Sequence, residues 1–268
     1  MVKFPPAYTS LPITAMANTL GGVIAEYVAK WNGTDWLNVG GGVSDVVYAM
    51  TSNGVDLYVG GFFNAAGGLP VSNLARWDGN DWSDVGGGVS NAVLSIATAA
   101  SDVFVSGSFT MAGGSPAAFA AMWDGASWTP LGRFDASVYD IAVSDGDVYV
   151  GGLFRSSDDV TSNYVAGRDG NGLFALGNGI GCCAVHEVAC RGSQVYVGGS
   201  FTEAGGKTTN GGEVGWTATC ERSPSWRATC TSEATSRKRE GRLPSASPSG
   251  TGRVGVRSEV GRTAPSRR

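Results

Sequence analysis

Histidine is almost missing from this sequence: His186 is the one copy in 268 residues. A site that needs two imidazoles therefore has no second ring within the chain. Charged residues make up only 16%, and no apolar run is long enough to span a bilayer. Cysteines number five, and none falls in a CxxC pair. An odd count without repeated spacing excludes a zinc ribbon and a disulfide framework. The first twenty residues carry one lysine and an apolar stretch broken by Pro5 and Pro6, which gives no clear signal peptide. Helical periodicity is absent from residues 17–206.

Glycine is what the chain has in excess, with 42 copies. Glycine punctuates turns and weakens helices, so the composition points to short strands and tight turns. The residues are also arranged in repeats. LARWDGNDWSDVGGG (Leu74–Gly88) is preceded by VAKWNGTDWLNVGGG (Val28–Gly42) and followed by AAMWDGASWTPLGR (Ala120–Arg133). Trp31, Trp77 and Trp123 stand 46 residues apart, and a worn copy at Val165–Gly179 places Arg168 where the next tryptophan belongs.

Between these copies runs a second repeated pair. VVYAMTS (Val46–Ser52) recurs as AVLSIAT (Ala92–Thr98), SVYDIAV (Ser137–Val143) and AVHEVAC (Ala184–Cys190). Each is followed by a turn and then by DLYVGGFF (Asp56–Phe63) or its equivalents, which end at Phe109, Phe154 and Phe201. Segments of four to eight residues, rich in Val, Tyr, Phe and Trp and bounded by Gly, Asn or Asp, read as strands in tight hairpins. Four strands per 46 residues predict an all-β protein, a β-propeller of four-stranded blades. Residues 17–210 hold about four blades of an incomplete propeller, and residues 1–16 match nothing else in the chain. The tryptophans are expected to pack blade on blade. The paired glycines Gly60-Gly61 and Gly151-Gly152 predict close backbone approach or a bulge.

Residues 211–268 differ in kind. They hold 5 acidic and 11 basic side chains, against 18 and 8 in residues 1–210. By composition the segment is a disordered basic tail, and an acidic body with a basic tail would ordinarily point to nucleic acid. Its codons point elsewhere. Shifted by one nucleotide, codons permitted for Gly212–Thr217 encode Ala-Arg-Trp-Asp-Gly, and so do those for Ser258–Thr263, 46 residues on. The expectation is a frameshift near Asn210 that ended a longer propeller reading frame. On that reading the tail has no nucleic-acid role, and the remaining blades belong to the parent protein.

The segments LARWDGNDW, DVGGGV and YVGGSFTEAGG (Tyr196–Gly206) resemble a tandem repeat of secreted or surface-attached bacterial proteins. Its units read ARWDGxxWxxLGxG and LYVGGxFxxAGG, and it is related to Kelch and galactose-oxidase-like propellers. The resemblance covers Ala17–Gly206 and implies an extracellular or cell-surface setting. Galactose-oxidase-like copper chemistry needs two histidines and two tyrosines with a cysteine crosslink, and only His186 is present. His186 holds the strand position of Tyr48, Leu94 and Tyr139, where it reads as a packing substitute. A sialidase Asp-box needs a Ser-x-Asp that WDGASW lacks.

Function is expected in the loops that share one face of a propeller. Gly40–Asp45, Gly86–Asn91 and Gly132–Ser137 join one blade to the next, and the loops after the second strands are their neighbours. Arg133-Phe134-Asp135 stands in for Gly-Gly-Val, and Ser156–Asp159 stands in for the Ala-Gly-Gly type. One position of the first strand varies as Ala49, Ser95, Asp140 and Glu187, and would line a central channel if that strand is innermost. Two carboxylates there are either a cation site or solvated charge, and solvated charge is the plainer reading. The candidate ligand-facing residues are Asp45, Asn91, Arg133, Asp135, Asp140, Asp158, Asp159 and Glu187. No catalytic residue, cofactor or metal site is assigned. The sequence predicts a non-enzymatic extracellular module that binds protein or glycan through its loop face. The alternatives are a carbohydrate-active hydrolase or lyase, and a nonfunctional frameshifted fragment.

Overall fold

The computed structural model describes residues 19–20, 23–192, 194–208, 216–221 and 229–234. Residues 1–16 and most of the segment 211–268 lie outside the described residues. The described residues are strands and turns, with no helix among them. No helix there is long and apolar enough to cross a membrane.

Three units are complete four-stranded antiparallel sheets. The first comprises Val47–Ser52, Leu57–Gly61, Leu74–Trp77 and Trp82–Asp84. The second comprises Val93–Ala99, Asp102–Gly107, Ala120–Trp123 and Trp128–Pro130. The third comprises Val138–Ser144, Asp147–Gly152, Val165–Asp169 and Gly172–Ala175. In each, neighbours in sequence are neighbours in the sheet. A half-unit stands at each end. Ala29–Trp31 pairs with Trp36–Asn38, and Ala184–Arg191 pairs with Gln194–Ser200. These blade-like sheets match the expected all-β repeat.

The segment expected to be a plain ten-residue loop folds further. Ala65–Ala66 pairs with Leu69–Pro70, and the same small hairpin recurs at Met111–Pro116, Ser156–Thr161 and Glu203–Thr208. In the first two, Gly67-Gly68 and Gly113-Gly114 supply two successive positive φ angles, which a two-residue hairpin turn demands. Within the tail, Trp216–Glu221 pairs with Thr229–Ala234, and Trp216–Glu221 runs alongside Gln194–Ser200. Composition there indicated disorder, so this stretch of paired backbone departs from the sequence reading.

Each first strand carries a bulge, at Tyr48, Leu94, Tyr139 and His186. The bulge turns a backbone carbonyl toward the second strand, and it explains one glycine of each pair. A Cβ at Gly61, Gly107, Gly152 or Gly199 would collide with the carbonyl oxygen of Val46, Ala92, Ser137 or Ala184. The preceding glycine serves a different contact. A Cβ at Gly60 would collide with Val93 and Ile96 of the next unit, and one at Gly151 with Val185 and Val188. Close approach and bulge are thus both present, one at each glycine.

The first strand of each unit packs on the first and second strands of the unit before it. The cores lie in these seams: Tyr58 is clustered with Val93 and Ile96, and Tyr149 with Val185 and Val188. Burying such side chains is the main source of stability, about 1.5–3 kcal/mol each. At the seam between the second and third units the glycine is replaced by Ser106, whose hydroxyl is buried without a hydrogen-bond partner. Ser106→Ala is therefore expected to stabilise the protein by about 1 kcal/mol, because it removes an unmatched polar group. Urea denaturation measures this, and a loss of stability would show that the hydroxyl has a partner after all.

Tryptophan packing follows the expected plan, with one addition. Trp77 and Trp82 pair at a ring separation of 5.3 Å, and Trp123 and Trp128 at 5.4 Å. Each pair covers a glycine of the loop that enters from the preceding unit, at Gly40 or Gly86. Trp82 Nε1 donates to Val39 O (2.9 Å) and Trp128 Nε1 to Gly86 O (3.0 Å), so the rings also tie unit to unit. In the third unit, Arg168 Nη1 donates to Leu131 O (2.9 Å). Leu131 matches Val39 in the repeat, so Arg168, at the position of Trp77 and Trp123, takes over the bond that Trp82 makes from the neighbouring strand in the first unit. The copy that looks worn in sequence retains its tie.

Candidate functional site

The two sets of loops meet as expected of one face. Val43, Val89, Phe134 and Ile180, each at the entry to a unit, bridge to Ala66, Ala112, Ser157 and Ala204 in the small hairpins. Gly67 N donates to Gly42 O (2.8 Å) and Gly113 N to Gly88 O (2.9 Å).

These bridges correct the alignment of the third loop. Phe134, not Asp135, occupies the place of Val43 and Val89, because this loop has one glycine fewer. Asp135 consequently falls at the position of Ser44 and Ser90. Ser44 Oγ accepts from Asn64 N and Ala65 N, both at 3.1 Å, and Ser90 Oγ accepts likewise from Thr110 N and Met111 N. Asp135 does the same work with a carboxylate. Its Oδ1 accepts from Arg155 N (2.8 Å) and Ser156 N (3.3 Å), and its Oδ2 accepts from Ser156 Oγ (3.0 Å). Desolvation pulls its pKa upward, but these donors outweigh it and hold the carboxyl below its ordinary value.

The sign of the pH effect follows. A depressed carboxyl adds stability that is full above the unfolded pKa, about 3.9, and is lost as pH falls through the lower folded value. Asp135→Asn is expected to flatten the acid limb of the stability curve while the limb above neutrality stays as it is. Acid titration followed by tryptophan fluorescence checks this, and superimposable acid limbs would contradict it.

Asp158 and Asp159 replace Gly67-Gly68 and Gly113-Gly114 in the hairpin turn. They keep positive φ, +44° and +66°, which aspartate tolerates better than most residues. Asp158 Oδ1 accepts from Arg133 N (3.0 Å), and Asp158 N donates to Arg133 O (3.4 Å). A side chain fits here only because the tryptophan is gone. A Cβ at Gly113 would meet the Trp128 ring at 2.5 Å, and the matching residue of the third unit is Leu173.

Arg133, Asp135 and Asp158 are thus brought together in the third unit, with exposed Asp159 beside them. The other candidates are dispersed. Asp45 Oδ1 accepts from Val46 N and Asn91 Oδ1 from Ala92 N, each at 2.8 Å, so both shape the entry to their own strands. Asp140 lies in a different place again, on the first strand. Its Oδ1 accepts from Ser95 Oγ (2.5 Å) in the preceding unit, and its Oδ2 from Val188 N (2.6 Å) in the next. Both oxygens are committed to bridging three successive first strands. Glu187 is exposed on the last of those strands. No group of three or more His, Cys, Asp or Glu able to hold a metal occurs among the described residues.

The sequence reading passed over the rings on this face. The bulges point side chains outward at the same end as the loops. Tyr48 and Phe62 are each 53% exposed, and Leu153 is 42% exposed. Tyr139 and His186, from successive units, stack with their rings 5.6 Å apart and nearly parallel, at 4°. His186 Nε2 is 3.0 Å from Ser200 Oγ. His186 does pack on the residue at its own repeat position, as expected, but it does so at the surface.

No protein-family model matches the chain, and no curated protein does. Among solved structures, the computationally designed Ika8 protein is similar at 13% identity and a TM-score of 0.42. That match spans 62% of this chain and 45% of Ika8, so the chain covers less than half of it. The computationally designed Ika4 protein is similar at 14% identity and a TM-score of 0.40, over 59% of this chain and 87% of that one.

Proposed function

We propose that this chain is a β-propeller-type module that binds a protein or glycan through its loop face and performs no chemistry on it. The observation that carries this reading is the rings at the bulged strand ends: the exposed Tyr48 and Phe62, and the half-buried Tyr139 stacked on exposed His186. Exposed apolar surface rimmed by polar loops marks an interaction site, and ring faces suit either a sugar or a protein partner. The repeat resemblance carries the extracellular setting and the Kelch-like kinship, which are part of the same proposal.

The acids of this face support binding over catalysis. Asp135 is held below its ordinary pKa by backbone and hydroxyl donors, and Asp158 accepts a hydrogen bond from Arg133 N, so each serves the loop that bears it. A glycan array run beside a hydrolase panel tests the proposal on the full chain. Binding that falls at least about tenfold in Tyr139→Ala is the expected result. Turnover of a polysaccharide that is abolished by Asp135→Ala would overturn it in favour of the hydrolase reading.

A further inference from the structure

The ends of the array are two halves of one contact. Inside the chain the contact is made between successive units. A first strand presents a pair of aliphatic side chains, and the second strand of the preceding unit receives them beside an aromatic ring and a small residue. Val93 and Ile96 enter beside Tyr58 and Gly60, and Val185 and Val188 enter beside Tyr149 and Gly151. Ile96 and Ile141 are 9% and 4% exposed as a result.

At the N-terminal end the matching pair is Val47 and Met50. It is not buried as its counterparts are: Met50 is 55% exposed and Val47 only partly buried. At the C-terminal end the matching receptor is Tyr196 and Gly198, on Gln194–Ser200. Among the described residues, only Glu187 Cβ lies within 4 Å of a Cβ placed on Gly198, at 3.8 Å. Tyr196 and Gly198 are half-buried, whereas Phe104 and Ser106 on the equivalent strand are buried. The backbone of Trp216–Glu221 runs alongside this strand.

We infer that a second copy of this chain docks head to tail, seating its Val47 and Met50 on Tyr196 and Gly198 of the first. The contact is heterologous, so each copy offers one donor face and one receptor face. It continues a seam the chain already builds within itself, with the same residue types at the same strand positions. This goes beyond the ligand reading, since it uses the faces between units and leaves the loop face free.

Two substitutions test it without threatening the fold. Met50 is at the surface, so Met50→Glu spoils the donor face alone. Among the described residues the nearest atom to a Cβ on Gly198 is Glu187 Cβ at 3.8 Å, an ordinary contact, and the φ of Gly198 is not positive, so Gly198→Val fills the receptor face alone. Light scattering with size exclusion on the full 27.4 kDa chain should give a mass that rises with concentration. Each variant alone should be monomeric, with association weakened at least about a hundredfold by the buried charge or the filled socket. An equimolar mixture of the two should recover a dimer and stop there, because only one competent face of each kind remains. Circular dichroism of each variant confirms that it is folded. A wild-type chain that stays monomeric at every concentration overturns the inference. So does association that survives either substitution, and so does a mixture that remains monomeric.

Discussion

Gly107→Ala is expected to cost about 3–5 kcal/mol, a large share of the roughly 5–15 kcal/mol that holds an ordinary protein folded. Gly107 has no positive φ, so the cost does not come from strained torsions. It comes from one methyl group placed against Ala92 O, Ala92 C and Val93 Cα, all of them backbone atoms that cannot rotate away. The bulge at Leu94 puts them there. Relief would require the bulge to move, and with it the ladder from Ser95 to Ala99. Gly198→Ala is the control. It lies one residue before the matching glycine of its own unit, where a Cβ would meet only Glu187 Cβ among the described residues, at 3.8 Å, and its expected effect is within about 0.5 kcal/mol. Urea denaturation followed by tryptophan fluorescence separates the two. Equal, small effects would mean that the bulges are not fixed as described.

Leu173→Trp is expected to destabilise the third unit by about 2–3 kcal/mol, and Asp158→Gly in the same chain to recover most of that loss. The first and second units pair a tryptophan on the fourth strand with a glycine in the hairpin turn. The third pairs leucine with aspartate. Restoring the tryptophan alone drives its ring into the Asp158 side chain. Asp158→Gly alone loses the bond from Arg133 N (3.0 Å) and returns a glycine to a left-handed turn, so it should change stability little. A coupling energy near zero would show that the two positions are independent and that the third unit drifted one residue at a time.

The strands of this fold are legible in sequence because their demands are local. Val and Tyr alternate, Asp-Gly and Asn-Gly close turns, and the 46-residue spacing of Trp31, Trp77 and Trp123 repeats the plan. The small hairpin at Ala65–Pro70 is not legible as strand, since two residues a side carry no periodicity. The paired glycines announce that backbone comes close, but not which backbone. Gly60 answers to the next unit and Gly61 to its own bulge. Arg168 looks like decay because a guanidinium and an indole have little in common as side chains. Its N–H reaches Leu131 O, 37 residues away, and so supplies from the third strand the tie that Trp82 supplies from the fourth strand of the first unit.

The candidate site is legible only in part, for the same reason. Breaks in the repeat pick out Arg133, Asp135, Asp158 and Asp159 correctly as neighbours. Their roles needed the loop bridges, because one missing glycine shifts Asp135 from a valine's place to a serine's. Asp140 is found by its variation, but its partners Ser95 and Val188 are 45 and 48 residues away. The rings escape notice because Tyr48 and Tyr139 look like ordinary strand residues. A bulge, which no local pattern announces, turns them out of the sheet.

All of this rests on one arrangement: a first strand seated on the second strand of the preceding unit. A disulfide engineered across that seam tests it most directly. A Cβ at Gly151 would lie 3.0 Å from Val185 Cβ, close enough that small relaxation reaches the usual disulfide span of about 3.5–4.5 Å. The doubly substituted chain, Gly151→Cys with Val185→Cys, should oxidise to a single intramolecular bond. Peptide mapping should place that bond between those two positions rather than at the native cysteines. A folded chain in which the two thiols stay free, or bond only to other cysteines or to other molecules, would contradict the packing on which the fold, the loop face and the end-to-end contact all depend.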